Sequence, residues 1–476
     1  MGSLRKGLIW CMALGLVALF PATVLAADGV HPAAWPSWHL QAAFLGLLAP
    51  AALMLLALGA TPAEHASDTV AGALSALVAG VVAYCICGFA FQFGGIALRE
   101  NWPGLHGLAA EWSPIDPSLG WGWGAIGLRG FFLLGPAATP DGYALAAVQL
   151  PAVAVAILVP VLALARRVGR PILLAVAALV GGVLYPLVGN WVWGGGWLAL
   201  LGGNAGLGHG FVDLGGSATL NLLGAGVALC GILLLEHRVA PAKRRQAIEL
   251  PPVHFPLVML IGSLLAPIGW VSMVLANPLV PGDMPVGLVA LNLVLAALGG
   301  AAPGLFYSWL ATGRADALLA ARGMIAGLAA ASASCAFVPP WAALLVGLLA
   351  GLLLPLVLYA VEHRLHWHDP NAILSTHGLP GLLGVLWLAF AADGRWGVGW
   401  NGIGEWGVSG WLAGPGSAAD APGQLLAQLA GVGSILLLAV LGSGILFGVV
   451  RIRRGLTALR EAPQPGRARR ARRRAT

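Results

Sequence analysis

Apolar residues come in long blocks along this chain, separated by short polar breaks. Runs rich in Leu, Ala, Val and Gly cover residues 38–60, 71–97, 143–165, 171–199, 213–236, 253–278, 284–311, 318–337, 341–361, 371–393 and 425–450. Each is about 20 residues or longer, the length an α-helix needs to cross the hydrocarbon core of a bilayer. The pattern predicts an all-α, polytopic membrane protein with eleven transmembrane helices. One large soluble domain would not account for repeated runs of this length.

Two of the blocks open alike. Asp213 is followed eight residues later by Asn221, in DLGGSATLNLLG, and Asp369 eight residues later by His377, in DPNAILSTHGLPG. If all eight residues are helical they span roughly 12 Å, which puts the acid near a membrane surface and the amide or imidazole near the midplane. A polar side chain at that depth is expensive and usually functional. One such pair in each half predicts a duplicated transporter with a site at the repeat interface. Five helices is an odd number, so the halves run in opposite senses. The expected architecture is a five-plus-five inverted repeat with the eleventh helix as a brace.

Charge sets the expected orientation. Only 9% of residues are charged, yet the formal net charge is +7. Arg and Lys follow the third block (Arg166, Arg167, Arg170), the fifth (Arg238, Lys243, Arg244, Arg245), the seventh (Arg314, Arg322), the ninth (Arg364) and the eleventh. The other side carries Arg99, Arg129 and Arg395. By the positive-inside bias the N-terminus lies outside and the C-terminus in the cytoplasm, in a cell inner membrane. Arg5 and Lys6, the apolar run Leu8 to Phe20 and the small residues before Ala26 read as a signal peptide over 1–26. The membrane domain then covers 27–450. A basic tail, 451–476, ending in RARRARRR, suits anionic lipid and no nucleic acid is called for. TPAEHASDT reads as the first loop, and the Trp-, Gly- and Pro-rich 98–142 is placed to cap the outer mouth. The 69 Gly suit close helix packing. The five Cys give no disulfide framework, and the histidines of EHRLHWHD read as a solvated helix end rather than a metal site.

Beyond these patterns, YPLVGNWVWGGGWLALLG, then FVDLGGSATLN, then HDPNAILSTHGLPGLLGVL resemble, in order and depth, the motifs of the ammonium transporter (Amt/Mep/Rh) family. The resemblance covers nearly the whole mature chain. It implies that Trp193 is the outer-mouth aromatic that holds ammonium by a cation–π contact, worth up to about 2 kcal/mol when desolvated. It also implies that Asp213 is the buried acid that orders the backbone there. A helix N-cap, natural for Asp, is compatible with that role. His377 matches the second of the family's twin pore histidines.

The chain departs from the family at the first histidine, where Asn221 stands. Local alignment puts Ala152 and Met273 at the two gate phenylalanines and Asn277 where a serine often contacts the ion. The resemblance thus implies an ammonium transporter or ammonia channel and not an enzyme. It needs no cofactor or metal and forms a homotrimer with one pore per subunit in the lipid bilayer. A relative that senses ammonium with little transport, and a channel for another small solute, remain open as alternatives. So does a cytoplasmic nitrogen-signalling partner on the inner face.

Overall fold

The computed structural model describes residues 37–115, 123–165, 167–235, 254–277, 284–367, 369–404, 406–414 and 421–461. The expected signal peptide and the RARRARRR end lie outside the described residues. Among the described residues, ten helices are long and apolar enough to cross a membrane. They are α1 (Trp38–Ala60), α2 (Ala63–Leu98), α3 (Pro140–Leu164), α4 (Arg170–Trp193), α5 (Ser217–Leu234), α6 (Pro256–Leu275), α7 (Val286–Thr312), α9 (Pro340–Arg364), α10 (Leu374–Ala391) and α11 (Ala421–Glu461). The shorter apolar helix α8 (Ala317–Ala331) makes the eleventh segment. Outside the helices, β1 (Glu111–Trp112) pairs antiparallel with β2 (Ile126–Gly127) in the long connection before α3.

Four expectations about boundaries change. The residues of TPAEHASDT are mostly not a loop, because α2 starts at Ala63. Pro62 precedes that start, where a missing N–H costs nothing, and His65 N–H bonds to its carbonyl at 2.9 Å. The polar residues simply extend the helix, and Asp68 there takes an exposed salt bridge from Arg170 at 3.0 Å. The 318–337 block stops early because its end serves another segment: Gly215 N–H bonds to Ser332 O at 2.9 Å, and Ala333 N–H bonds to Ser217 Oγ at 2.8 Å. Arg322, read as a loop charge, sits inside α8 and is buried. Finally, neither Asp213 nor Asp369 is helical. Gly216 has φ +84° and Ala372 φ +56°, and helices α5 and α10 begin only after them. The rise of eight helical residues therefore does not apply between the acid and Asn221 or His377.

Both of these helices open with a π-turn, Ser217–Leu222 in α5 and Leu374–Gly378 in α10. Such turns disturb the regular ladder and often mark functional positions. The two helices start at opposite ends of the molecule. Leu214, Gly215 and Leu220 border a cavity shared with Val148 and Ala152 of α3. Asn371, Ile373 and Thr376 border a second cavity shared with Leu162 of α3. Val148 and Leu162 are separated by about 21 Å of helix rise.

Small residues draw the second half together. A Cβ on Gly300 of α7 would meet the Gly323 carbonyl of α8, and one on Gly351 of α9 would meet the Gly300 carbonyl. Such backbone approach lets dispersion act where lipid offers no hydrophobic drive. By contrast α11 is peripheral: 22% of its most apolar stretch is buried, against 89% for α3. It packs along α5 and α10. Gln428 ties it to both halves, donating to Val212 O at 2.8 Å and Val385 O at 3.1 Å and accepting from Val212 N–H at 2.9 Å.

Candidate functional site

Asp213 is an anchor. Its carboxylate, 1% exposed, accepts from the backbone N–H groups of Ser217 (2.7 Å), Ala218 (3.0 Å) and Thr219 (2.8 Å) and from the Thr219 hydroxyl (2.8 Å). These are the first N–H groups of α5, which have no partner within the helix. The carboxylate meets them from a non-helical turn ahead of the helix. Its own carbonyl accepts the Trp193 indole N–H at 2.9 Å, and the next carbonyl, Leu214 O, accepts from the Asn277 amide at 2.7 Å. The acid thus fixes two residues of the adjoining cavity through the backbone.

That cavity is bordered by Trp193, Ala152, Met273 and Asn277 together. Four residues placed from three separate stretches of sequence meet around one space. The indole N–H is already bonded, which leaves the ring's π-system as the group Trp193 can offer a cation. Gln149 borders the same cavity. Its side-chain oxygen accepts from Tyr185 Oη at 2.8 Å and Gln92 Nε2 at 3.3 Å, and Tyr84 Oη donates to Gln92 Oε1 at 2.9 Å. This buried network holds Gln149 rigidly.

Between the cavities, Asn221 and His377 meet: Nδ1 of His377 lies 2.6 Å from Asn221 Oδ1. The chemistry of the pair is fixed by its neighbour. Asn221 Nδ2 donates to Gly216 O at 2.9 Å, so the amide oxygen is the atom that faces the ring. An oxygen only accepts, so Nδ1 carries the proton and Nε2 is left with its lone pair. The indole of Trp270 stacks on the ring, centroids 6.5 Å apart and planes 29° apart, and is itself pinned by donating to Ser332 Oγ at 2.8 Å. His377 borders the second cavity, whose lining is otherwise mostly aliphatic.

Outside that cavity's wall, Asp369 repeats part of the Asp213 device. Its Oδ2 accepts Leu374 N–H at 2.8 Å. Burial pushes the Asp369 carboxyl above its ordinary value, opposed by the N–H groups of Leu374 and Ile373 and by Arg322 and Arg167. Arg322 borders the cavity and donates to Pro370 O at 2.9 Å.

A model of the Ammonium Transporter Family matches residues 37–465. The chain belongs to that family. Among its relatives, ammonium transporter Amt2 of Archaeoglobus fulgidus is 28% identical over 367 residues, covering 76% of this chain and 72% of the relative. Amt1 of Haloferax mediterranei is 26% identical over 447 residues, 90% of this chain and 76% of the relative. Amt1 of Methanocaldococcus jannaschii is 32% identical over 211 residues, so this chain spans about half, 51%, of its length. The fold is similar to that of Mep2 of Candida albicans, with TM-score 0.68 and 20% identity over 86% of this chain and 82% of that one. It is equally similar to a structure titled Sensor Amt Protein, with TM-score 0.68 and 22% identity over 87% and 92%.

In this ammonium transporter family member, sequence reasoning missed Gln149, Trp270 and Arg322 as members of the site. Gln149 and Trp270 lie inside apolar blocks, where nothing in the spacing separates a pore-lining side chain from a packing one. Arg322 did carry a signal, a full charge within an apolar block, and that signal went to topology instead.

Proposed function

We propose that this chain moves ammonium or ammonia through a pore in each subunit of a homotrimer. The Trp193 mouth faces outward, and the C-terminus lies in the cytoplasm of a bacterial-type inner membrane. The observation that carries this reading is the Asn221–His377 pair, held between two cavities that border α3 at Val148–Ala152 and at Leu162. Ammonium is recruited at Trp193. It gives its proton to water in that mouth, and neutral ammonia passes on. An isolated cation in low dielectric costs tens of kcal/mol by Born solvation, and an uncharged amine far less. At the midpoint His377 Nε2 accepts an N–H from the guest.

Asn221 occupies the position where the family resemblance implies the first pore histidine. An amide does not titrate near neutral pH, so a relay between two imidazoles is missing. With Ala152 and Met273 in place of the gate phenyls, the outer constriction is wider or more flexible, with altered selectivity. Flux is then weakly electrogenic or electroneutral, and slower than in twin-histidine relatives. A cytoplasmic nitrogen-signalling protein docking on the inner face belongs to the same reading.

Reconstitution into liposomes tests it, with labelled methylammonium uptake and current recorded together. We expect saturable uptake with little current, reduced about tenfold or more by Trp193→Ala if the cation–π contact contributes its usual energy. Binding of methylammonium without uptake would instead make the protein a sensor, and neither binding nor uptake would mean another solute.

A further inference from the structure

The second cavity carries a charge that the pore reading does not use. Arg322 is 8% exposed, on the second turn of α8, and shares the cavity wall with His377, Thr376 and Asn371. The rest of the wall is aliphatic: Leu, Ala and Ile from α1, α3, α8 and the start of α10. A buried guanidinium is rare in a membrane segment and is kept only where something holds it. Here one Nη donates to the Pro370 carbonyl at 2.9 Å, and the acids acting on the side chain are Asp369, Glu362 and Asp316. None of those three borders the cavity, and no salt bridge within 4.0 Å joins them to Arg322 among the described residues. Arg167, also 8% exposed, adds a second positive charge beside Asp369, and its Nε and Nη2 have no hydrogen-bond partner among the described residues.

The consequence is geometric. A guest leaving His377 in this direction meets a fixed guanidinium on the wall, while the balancing carboxylates are not part of that wall. Guanidinium stays protonated across the physiological range, and in so apolar a space the field of one charge is weakly screened. A neutral amine feels little of this. We propose that Arg322 is a specificity-determining residue: it bars cations from the half of the pore between His377 and the Arg322 end, so that the guest crosses this half uncharged. This rests on the pore reading given above and adds a named residue that enforces it.

The test is the charge moved per labelled methylammonium, measured in one set of proteoliposomes for four proteins. The wild type gives a low ratio. Arg322→Gln keeps a donor for Pro370 O and removes the charge, and the ratio rises about tenfold or more, a lower bound, since one unit charge about 4 Å away at intermediate dielectric would give about a thousandfold. Arg322→Lys keeps the charge and holds the ratio down. Asn371→Asp leaves Arg322 in place but puts a negative charge on the same wall, and it also raises the ratio, which carries the test if Arg322→Gln does not fold. Uptake that persists with an unchanged ratio in Arg322→Gln or Asn371→Asp overturns this inference alone and leaves Arg322 as a brace for Pro370. Absence of any wild-type uptake overturns the pore reading and this inference with it.

Discussion

At position 221 an amide does what a second imidazole would do only in part. Its nitrogen is committed to Gly216 O, so its oxygen dictates that His377 carries its proton on Nδ1. The imidazole is thereby held as an acceptor toward the guest without needing a charge. Asn221→Leu removes the acceptor and leaves a buried N–H without a partner, a cost of about 1–3 kcal/mol that the ring avoids by changing tautomer or orientation. Methylammonium uptake should fall accordingly. Asn221→His supplies a second titratable ring, and the ammonium current should rise above wild type. Paired uptake and current recordings check both, and a wild-type current untouched by either change would mean that the pair is packing. The pairing itself was legible from the chain, because two motifs with equal eight-residue spacing, one in each half, imply that their second members meet. The tautomer was not, since it depends on the Gly216 carbonyl, whose position is set by a left-handed glycine.

At the scale of elements, apolar block length located the membrane segments well and their starts poorly. Composition is nearly uniform across α5 and α10, and a π-turn inserts its extra residue without changing which residues are apolar. The displaced starts after Asp213 and Asp369 were therefore invisible to periodicity. They follow from hydrogen bonding: the turn ahead of α5 is held at Ser332 and Ala333, so the helix must begin later, and the acid reaches forward to cap it. This gives Asp213 a stability role separate from any attraction of cations. Asp213→Ala would strand four buried donors at once. At about 1 kcal/mol or more for each unsatisfied group, we expect a loss on the order of 4 kcal/mol. Thermal unfolding in detergent should show a clear drop in midpoint, and hydrogen exchange should rise first over Ser217–Leu222. Asp213→Asn should lose less but not recover, because its NH2 would face donors. An unchanged midpoint in Asp213→Ala would mean that water or a shifted backbone replaces the carboxylate.

Over the whole molecule, the repeat and the brace depend on one another. Helices α5 and α10 enter from opposite ends, so their N-terminal turns cannot both be covered by a segment on one face. A helix lying along both is needed, and α11 fills that place, with Gln428 bonded to backbone just before α5 and within α10. This arrangement requires an odd number of crossings in each half. If α1 to α5 form one half and α6 to α10 the other, the connection 392–420 lies on the same side as the start of α1, and the end of α11 lies opposite. Charge gives the sides their identity: Arg451, Arg453 and Arg454 at the end of α11 belong to the cytoplasm by the positive-inside bias. A reporter fused after Arg454 should therefore score as cytoplasmic, and one inserted in 400–420 as external. The test discriminates because α8 is short. Were α8 to re-enter without crossing, the second half would hold four crossings, and the two reporters would still fall on opposite sides but exchange places relative to a reporter placed between α1 and α2. Scoring that third position, expected to be cytoplasmic, decides whether the inverted repeat stands: the 400–420 reporter must lie across the membrane from it.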